Sequence, residues 1–277
     1  MKKIFLYIFA ILVLTNCETN NENTDENSSI LVEEYGQLVW QDEFKNMGSP
    51  DSTFWKYDTY GNEYGWGNNE EQHFTKSNKR NAWVDNGKLS ITAHMEKMGN
   101  KEYTSARLVS KKEWKYGRIE VRAKLPSGTG IWPAIWMLGS NIDSVGWPEC
   151  GEMDIMEYVG YEPDNVNATV HTSSGYGRTG DGSEMILKSC EEEFHNYGLI
   201  WTEKKLTFYI GSVENIIHIY SPAVKTTKTW PFDKPAYLIL NVSVGGDWGG
   251  KKGVDNSIFP QTMEIDYVRV YKKTQIK

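Results

Sequence analysis

Glu152, Asp154 and Glu157 stand within GEMDIMEYVG (residues 151–160), three acids set among apolar residues. Burying like charges together is costly unless a partner or a reaction uses them. Their spacing fits neither regular element. A strand alternates faces, which would place Glu152 and Asp154 on one side and Glu157 on the other. A helix turns about 100° per residue and would leave Glu152 and Glu157 roughly 140° apart. One extra residue near Ile155 and Met156, a β-bulge, resolves the conflict. All three carboxyls then share one face, while Met153 and Ile155 point into a core. Two carboxyls held about 5–5.5 Å apart can carry out a double displacement at an acetal carbon. The ionised one attacks, and the protonated one gives its proton to the departing oxygen. A third acid between them holds the attacking group by a hydrogen bond and helps keep the other proton in place. A calcium site and a solvated acidic strand are the alternatives. Calcium prefers carboxylates mixed with loop carbonyls, and a solvated strand would not carry Met153, Ile155 and Met156.

Strands must position such a face, and the chain supplies them. Short β-rich runs bounded by turn residues recur from about Gln37 to Lys273, among them GRIEVRAKLP, NVNATVHTS, KLTFYIGS and AYLILNVSVGG. Asn86-Gly87 between two such runs is a strong hairpin signal. No stretch sustains a helical period over three turns and no internal repeat is evident. One all-β domain, a two-sheet antiparallel sandwich, is expected over residues 37–273. The eleven tryptophans exceed what a sandwich core requires, and aromatic rings suit the apolar C–H faces of sugars. In IWPAIWML, alternation sets Trp132, Ala134 and Trp136 on one face, although a stripe of this kind also fits a core. Trp248 lies between glycine pairs, where a loop can stand a ring at a cleft edge.

Seven motifs then fall in one order: GWGNNEEQ (65–72), YTSARL (103–108), GIWPAIWMLG (130–139), WPECGEMDIME (147–157), WPFD (230–233), GGDWGG (245–250) and IDYVRVY (265–271). Together they resemble glycoside hydrolase family 16, in its bacterial laminarinase (endo-β-1,3-glucanase) branch. The resemblance implies a β-jelly-roll sandwich with a substrate cleft along a concave sheet. It implies that Glu152 is the nucleophile, Asp154 its modulating partner and Glu157 the general acid/base. It also implies that Asn69, Arg107, Trp132, Trp136, His171 and Trp248 bind substrate. By sequence alone, Arg107 reads equally well as a surface charge and His171 as a structural residue. Glu70 and Glu71 read as support or loop charge. Alternation in MEIDYVRVY puts Asp266 on the side of Val268 and Val270, where a carboxylate needs a partner. The resemblance implies a structural calcium there, held by Asp266 with carbonyls of Glu43 and Gly87; a hydrogen-bonded Asp266 without metal is the alternative. No cofactor is expected for catalysis.

The N-terminus reads as an export signal: MKK, a dozen apolar residues, then Asn16-Cys17. Residues 1–16 resemble a lipoprotein signal peptide. That implies acylation of Cys17 and a membrane-anchored, exported protein at the outer membrane or cell surface; a plain signal peptide is the alternative. Residues 17–36 are rich in Asn, Glu, Ser and Thr, with no basic residue, and read as a disordered acidic tether. The formal charge of −7 becomes −9 from Cys17 onward once Lys2 and Lys3 are removed, and six of those negatives lie in the tether. The body is thus near −3, which argues against a nucleic-acid surface or a basic cleft for a polyanion. A monomer is expected. Cys150 and Cys190 read equally as a disulfide or as two free thiols. Two other functions stay open: hydrolysis of an algal galactan (agar, porphyran or carrageenan), or glycan binding without catalysis. The three standing acids oppose the latter.

Overall fold

The computed structural model describes residues 34–274. The signal peptide, Cys17 and most of the tether lie outside the described residues. The chain enters earlier than the expected boundary at residue 37: Tyr35 is buried against Ile200, Tyr209 and Val213, and its carbonyl accepts a hydrogen bond from Arg118.

Seventeen strands are described. The first six are β1 (Gln37–Asp42), β2 (Trp55–Tyr57), β3 (Gln72–Phe74), β4 (Ala82–Asp85), β5 (Lys88–Met98) and β6 (Lys101–Ser105). Then follow β7 (Arg107–Trp114), β8 (Gly117–Lys124), β9 (Ile131–Gly139), β10 (Glu152–Tyr158), β11 (Asn165–His171) and β12 (Asp181–Ile186). The last are β13 (His195–Trp201), β14 (Leu206–Ile210), β15 (Ile216–Tyr220), β16 (Ala236–Val244) and β17 (Gln261–Lys272). They form two sheets. The seven-stranded sheet has the order β12-β11-β10-β9-β16-β7-β2, and the ten-stranded one runs β15-β14-β13-β8-β17-β5-β6-β3, with β1 and β4 beside β17 and β5. The expected two-sheet jelly-roll sandwich is the observed architecture. One departure is the pairing of β3 with β6, which is parallel: the loop through residues 60–71 returns the chain alongside β6 in the same direction.

The two inner faces supply one core. Met153, Ile155 and Met156 of β10 pack there with Ile135 and Met137 of β9, Leu238 and Leu240 of β16, and Val121, Leu199 and Val268 from the opposite sheet. Alternation makes this possible, since every second residue of β9 and β16 faces inward. The turn between β4 and β5 is the one expected. Asn86 and Gly87 have φ of 51° and 72°, the paired positive angles of a type I′ turn.

Alternation misplaces Asp266. The register of β17 against β8 shifts between Ile265 and Tyr267, and this bulge reverses the side on which Asp266 lies. Met263, Ile265, Val268 and Val270 are buried, while Asp266 is half-exposed and paired with Arg122 Nη1 at 2.6 Å. Its carboxylate therefore has a cationic partner and does not lie among the valines. Glu43 likewise gives its carboxylate to Arg269, in two hydrogen bonds of 2.7 and 2.9 Å. At the backbone, β1 ends at the Asp42–Val268 pair and β5 begins beside the Leu89–Ile265 pair. Glu43 and Gly87 thus flank the β17 bulge. Cys150 and Cys190 are both buried and free, which answers the disulfide question in favour of two thiols.

Candidate active site

The expected bulge is present in β10. Against β9, Asp154 pairs with Trp136 and Met156 with Ile135; against β11 the register shifts between Asp154 and Glu157. Ile155 is the extra residue. Glu152, Asp154 and Glu157 consequently project from the face of β10 that points away from the core, opposite Leu138, Trp136 and Ala134 of β9.

Each acid has its own surroundings. Trp147, in the loop before β10, donates its Nε1–H to Glu152 Oε2 at 2.7 Å. Trp132 donates its Nε1–H to Glu157 Oε1 at 3.1 Å. Asp154, the shortest and most buried at 2 % exposure, has His171 Nε2 3.2 Å from its Oδ2; the same nitrogen is 3.9 Å from Glu152 Oε1. The register explains this convergence, because His171 of β11 is paired with Glu152. Gly180 closes the far side of the imidazole: a Cβ there would come within 2.7 Å of Nδ1.

Burial sets the protonation of the site. Desolvation, followed by the charge of Asp154, raises Glu152 to about 8. Desolvation also raises Glu157 to about 7, with Glu152 adding to the rise while His171 and the Trp132 hydrogen bond oppose it. Asp154 is raised as well, by burial and then by Glu157. Three carboxyls this close share their protons as a unit. The hydrogen-bonding contact between Glu152 and Asp154 adds to the rise of Glu152 and opposes that of Asp154. The indole donors at Trp147 and Trp132 favour the ionised forms of the outer two acids.

The remaining expected residues fall along the same face. Trp136 donates to Asn241 Oδ1 at 2.8 Å, and Arg107 lies over its ring, 4.7 Å from the centroid. Arg107 also covers Trp66 at 4.5 Å and pairs with Asp58 at 3.2 Å. Its side chain is largely enclosed, so the surface-charge reading fails. Trp132 and Trp248 meet edge to face, with centroids 5.4 Å apart and planes at 77°. Gly249 permits this closeness, since a Cβ there would approach Trp132 Cβ to 2.8 Å. Asn69 is exposed, held in left-handed backbone at φ 55°, with its amide donating to Asp247 at 2.9 Å. Glu70 is buried beside the cleft, raised by desolvation and held by Gln72 at 2.6 Å; it is support rather than loop charge. Glu43, Gly87 and Asp266 lie in the other sheet and its turn, apart from this face.

Sequence reasoning missed Trp147, Trp66, Asp58 and Asn241. Trp66 left a signal as an aromatic residue of GWGNNEEQ, and Trp147 as one in the loop entering the acidic strand. Trp147 is 44 % exposed and stacks edge to face on Tyr176 at 5.3 Å.

Buried carboxyls that repel one another are retained where their protons are used. Here they open onto an aromatic wall with polar groups at its edges, which is the way a protein binds a sugar chain. The chemistry these groups support is glycoside hydrolysis. Comparison with known proteins agrees: the model of glycosyl hydrolases family 16 matches residues 68–269. A β-glucanase of Rhodothermus marinus is 41 % identical over 276 residues, spanning 95 % of this chain and 93 % of that protein. The crystal structure of a laminarinase from Flavobacterium sp. UMI-01 superposes with a TM-score of 0.79 at 44 % identity, covering 85 % of this chain and all of that one. A mutant of a non-specific endo-β-1,3(4)-glucanase, co-crystallised with 1,3-β-D-cellotriosyl-glucose and presenting 1,3-β-D-cellobiosyl-glucose at its active site, superposes with a TM-score of 0.82 at 41 % identity, over 86 % and 95 % of the two chains. This chain belongs to glycosyl hydrolases family 16.

Proposed function

We propose that this protein is an endo-acting retaining hydrolase of β-1,3-glucan. Glu152 attacks the anomeric carbon, Glu157 protonates the departing oxygen and then activates water, and Asp154 holds the shared proton against Glu152. The observation that carries the reading is the bulge at Ile155, which delivers the three acids to one face with an indole donor on each outer acid. A proton kept in the Glu152–Asp154 pair serves the reaction when it sits on Asp154 and points at the attacking oxygen. The Trp147 N–H bond to Glu152 favours that distribution.

Three things support β-1,3-glucan as the substrate: the activities named for the relatives, the 1,3-linked sugar bound in one of them, and the shape of the wall. A β-1,3-glucan coils, so platforms at different angles suit it better than coplanar ones; the Trp132 and Trp248 planes differ by 77°. Asn69, Arg107, Trp136 and His171 complete the sugar contacts. A body of little net charge suits a neutral polymer. Laminarin is expected to be cut internally, mixed-linkage glucan more slowly and cellulose not at all, as read by product chromatography. Faster turnover of agarose or carrageenan would replace this reading with the galactan alternative.

Two further proposals accompany it. Cys17 is acylated and tethers the enzyme to a membrane outside the cytoplasm; among the described residues no helix is long and apolar enough to cross one. Cys17→Ser should release the enzyme from the membrane fraction with its activity intact, and unchanged partitioning would end the idea. A calcium ion sits at the β17 bulge, held by carbonyls of Glu43 and Gly87 and by Asp266. The reading is supported by the strand register that brings these three segments side by side. Asp266 would have to share its carboxylate between the ion and Arg122.

A further inference from the structure

The same face holds a second kind of site. We infer that Glu152, Asp154 and His171 form a binding site for a single zinc ion, and that zinc bound there reversibly switches the enzyme off. The donor atoms of these three residues all lie within 4.8 Å of one another. Among the described residues no other three His, Cys, Asp or Glu side chains converge in this way.

The convergence is more than a cluster of acids. Asp154 is 2 % exposed, yet its Oδ2 accepts no hydrogen bond. His171 Nε2 stands 3.2 Å from that oxygen without the alignment of a hydrogen bond. Zinc holds nitrogen and oxygen ligands at about 2.0–2.2 Å, so two ligands of a tetrahedral site lie about 3.3 Å apart. The Asp154–His171 pair already has that separation. Glu152 Oε1, at 3.9 Å from Nε2, closes the remainder by a small side-chain rotation. Its other oxygen stays with Trp147, so the ion need not displace the indole.

Ligand chemistry and charge favour zinc. One imidazole with two carboxylates suits a borderline transition ion, whereas calcium and magnesium prefer all-oxygen shells of higher number. Two carboxylates, a neutral imidazole and a divalent cation sum to zero, which removes the like-charge repulsion of a buried site. A fourth position is left for water. Zinc held there occupies the attacking carboxylate, so glucan and metal exclude one another.

Only the inhibition rests on the proposed function; binding is measured without any substrate. Zinc sulfate is titrated calorimetrically into the full chain, with calcium in excess to keep any structural site filled. Wild type is expected to bind one zinc. His218→Ala should bind it equally, although His218 forms the other histidine–carboxylate pair, with Asp181 at 3.2 Å. His171→Ala and Asp154→Asn should weaken binding by about tenfold or more, since a lost ligand costs at least as much as a lost outer partner. Near-UV circular dichroism checks that both remain folded. X-ray absorption of the wild-type zinc complex, which needs no variant, should show one imidazole. Laminarin hydrolysis should fall with zinc occupancy and return on chelation. Absence of binding, unchanged affinity in both folded variants, an imidazole-free shell, or full activity with zinc bound would each overturn the inference. If zinc-free enzyme leaves laminarin intact, the substrate reading fails while the titration still decides the metal site.

Discussion

Beyond the three acids and His171, Trp147 is the side chain that acts most directly on Glu152. Its N–H is 2.7 Å from Oε2, and a hydrogen bond to a charged group contributes about 1.5–3 kcal/mol. Trp147→Phe keeps the ring against Tyr176 and removes only the donor. It should lower kcat by about 10- to 100-fold with little change in melting temperature, as read by steady-state kinetics and thermal denaturation. Unchanged kcat would show that the bond plays no part in stabilising the ionised carboxylate. At this scale the sequence was most legible where residue type and spacing conflict with regular structure. Three acids spaced two and then three apart demand a bulge, and the bulge is there. Asp58 and Asn241 were not legible because each meets its partner from a neighbouring segment or strand, and spacing along the chain does not report such contacts.

Elements explain where the reading by alternation succeeded and where it failed. In β9 strict alternation holds, so Trp132 and Trp136 were placed correctly on the cleft side. In β17 a bulge between Ile265 and Tyr267 puts Asp266 on the outer side, and nothing in MEIDYVRVY demands an extra residue as the acids of β10 do. The parallel β3–β6 pair was hidden for a related reason, since β4 and β5 lie between the two strands and a three-residue strand carries too short a period to report its partner. The same bulge tests the calcium proposal. Chelation should lower the melting temperature of wild type by mass action on the folded state, and Asp266→Ala should abolish that sensitivity. An equal chelator effect on both proteins would argue against the site. The turn at Asn86-Gly87 was legible outright, because a positive φ at both positions leaves few residue types able to fill it.

For the whole molecule, the active site is a stability cost that depends on pH. Folding raises Glu157 to about 7 and Glu152 to about 8 from an ordinary 4.5. The native state therefore binds more protons than the unfolded chain between those values, and its stability falls as pH rises through that window. Glu157→Gln removes one buried charge. The variant should match wild type near pH 4 and exceed it near pH 8, by on the order of 1–3 kcal/mol. That corresponds to several degrees in melting temperature for a domain of this size. A difference that does not change with pH would mean that these carboxyls are not burdened by burial. Catalysis needs Glu152 ionised and Glu157 protonated, and with these carboxyls at about 8 and about 7 that form is most populated between the two values, so hydrolysis should fall both below and above that window.

The central claim is a double displacement through Glu152 and Glu157, and the configuration of the first products reports on it directly. Proton NMR of laminarin during the first minutes of hydrolysis, before mutarotation mixes the anomers, distinguishes the outcomes. New reducing ends should appear as the β-anomer, because two inversions at one carbon restore its configuration. Initial release of the α-anomer would contradict the account, since it requires direct attack by water and leaves Glu152 without its role as nucleophile.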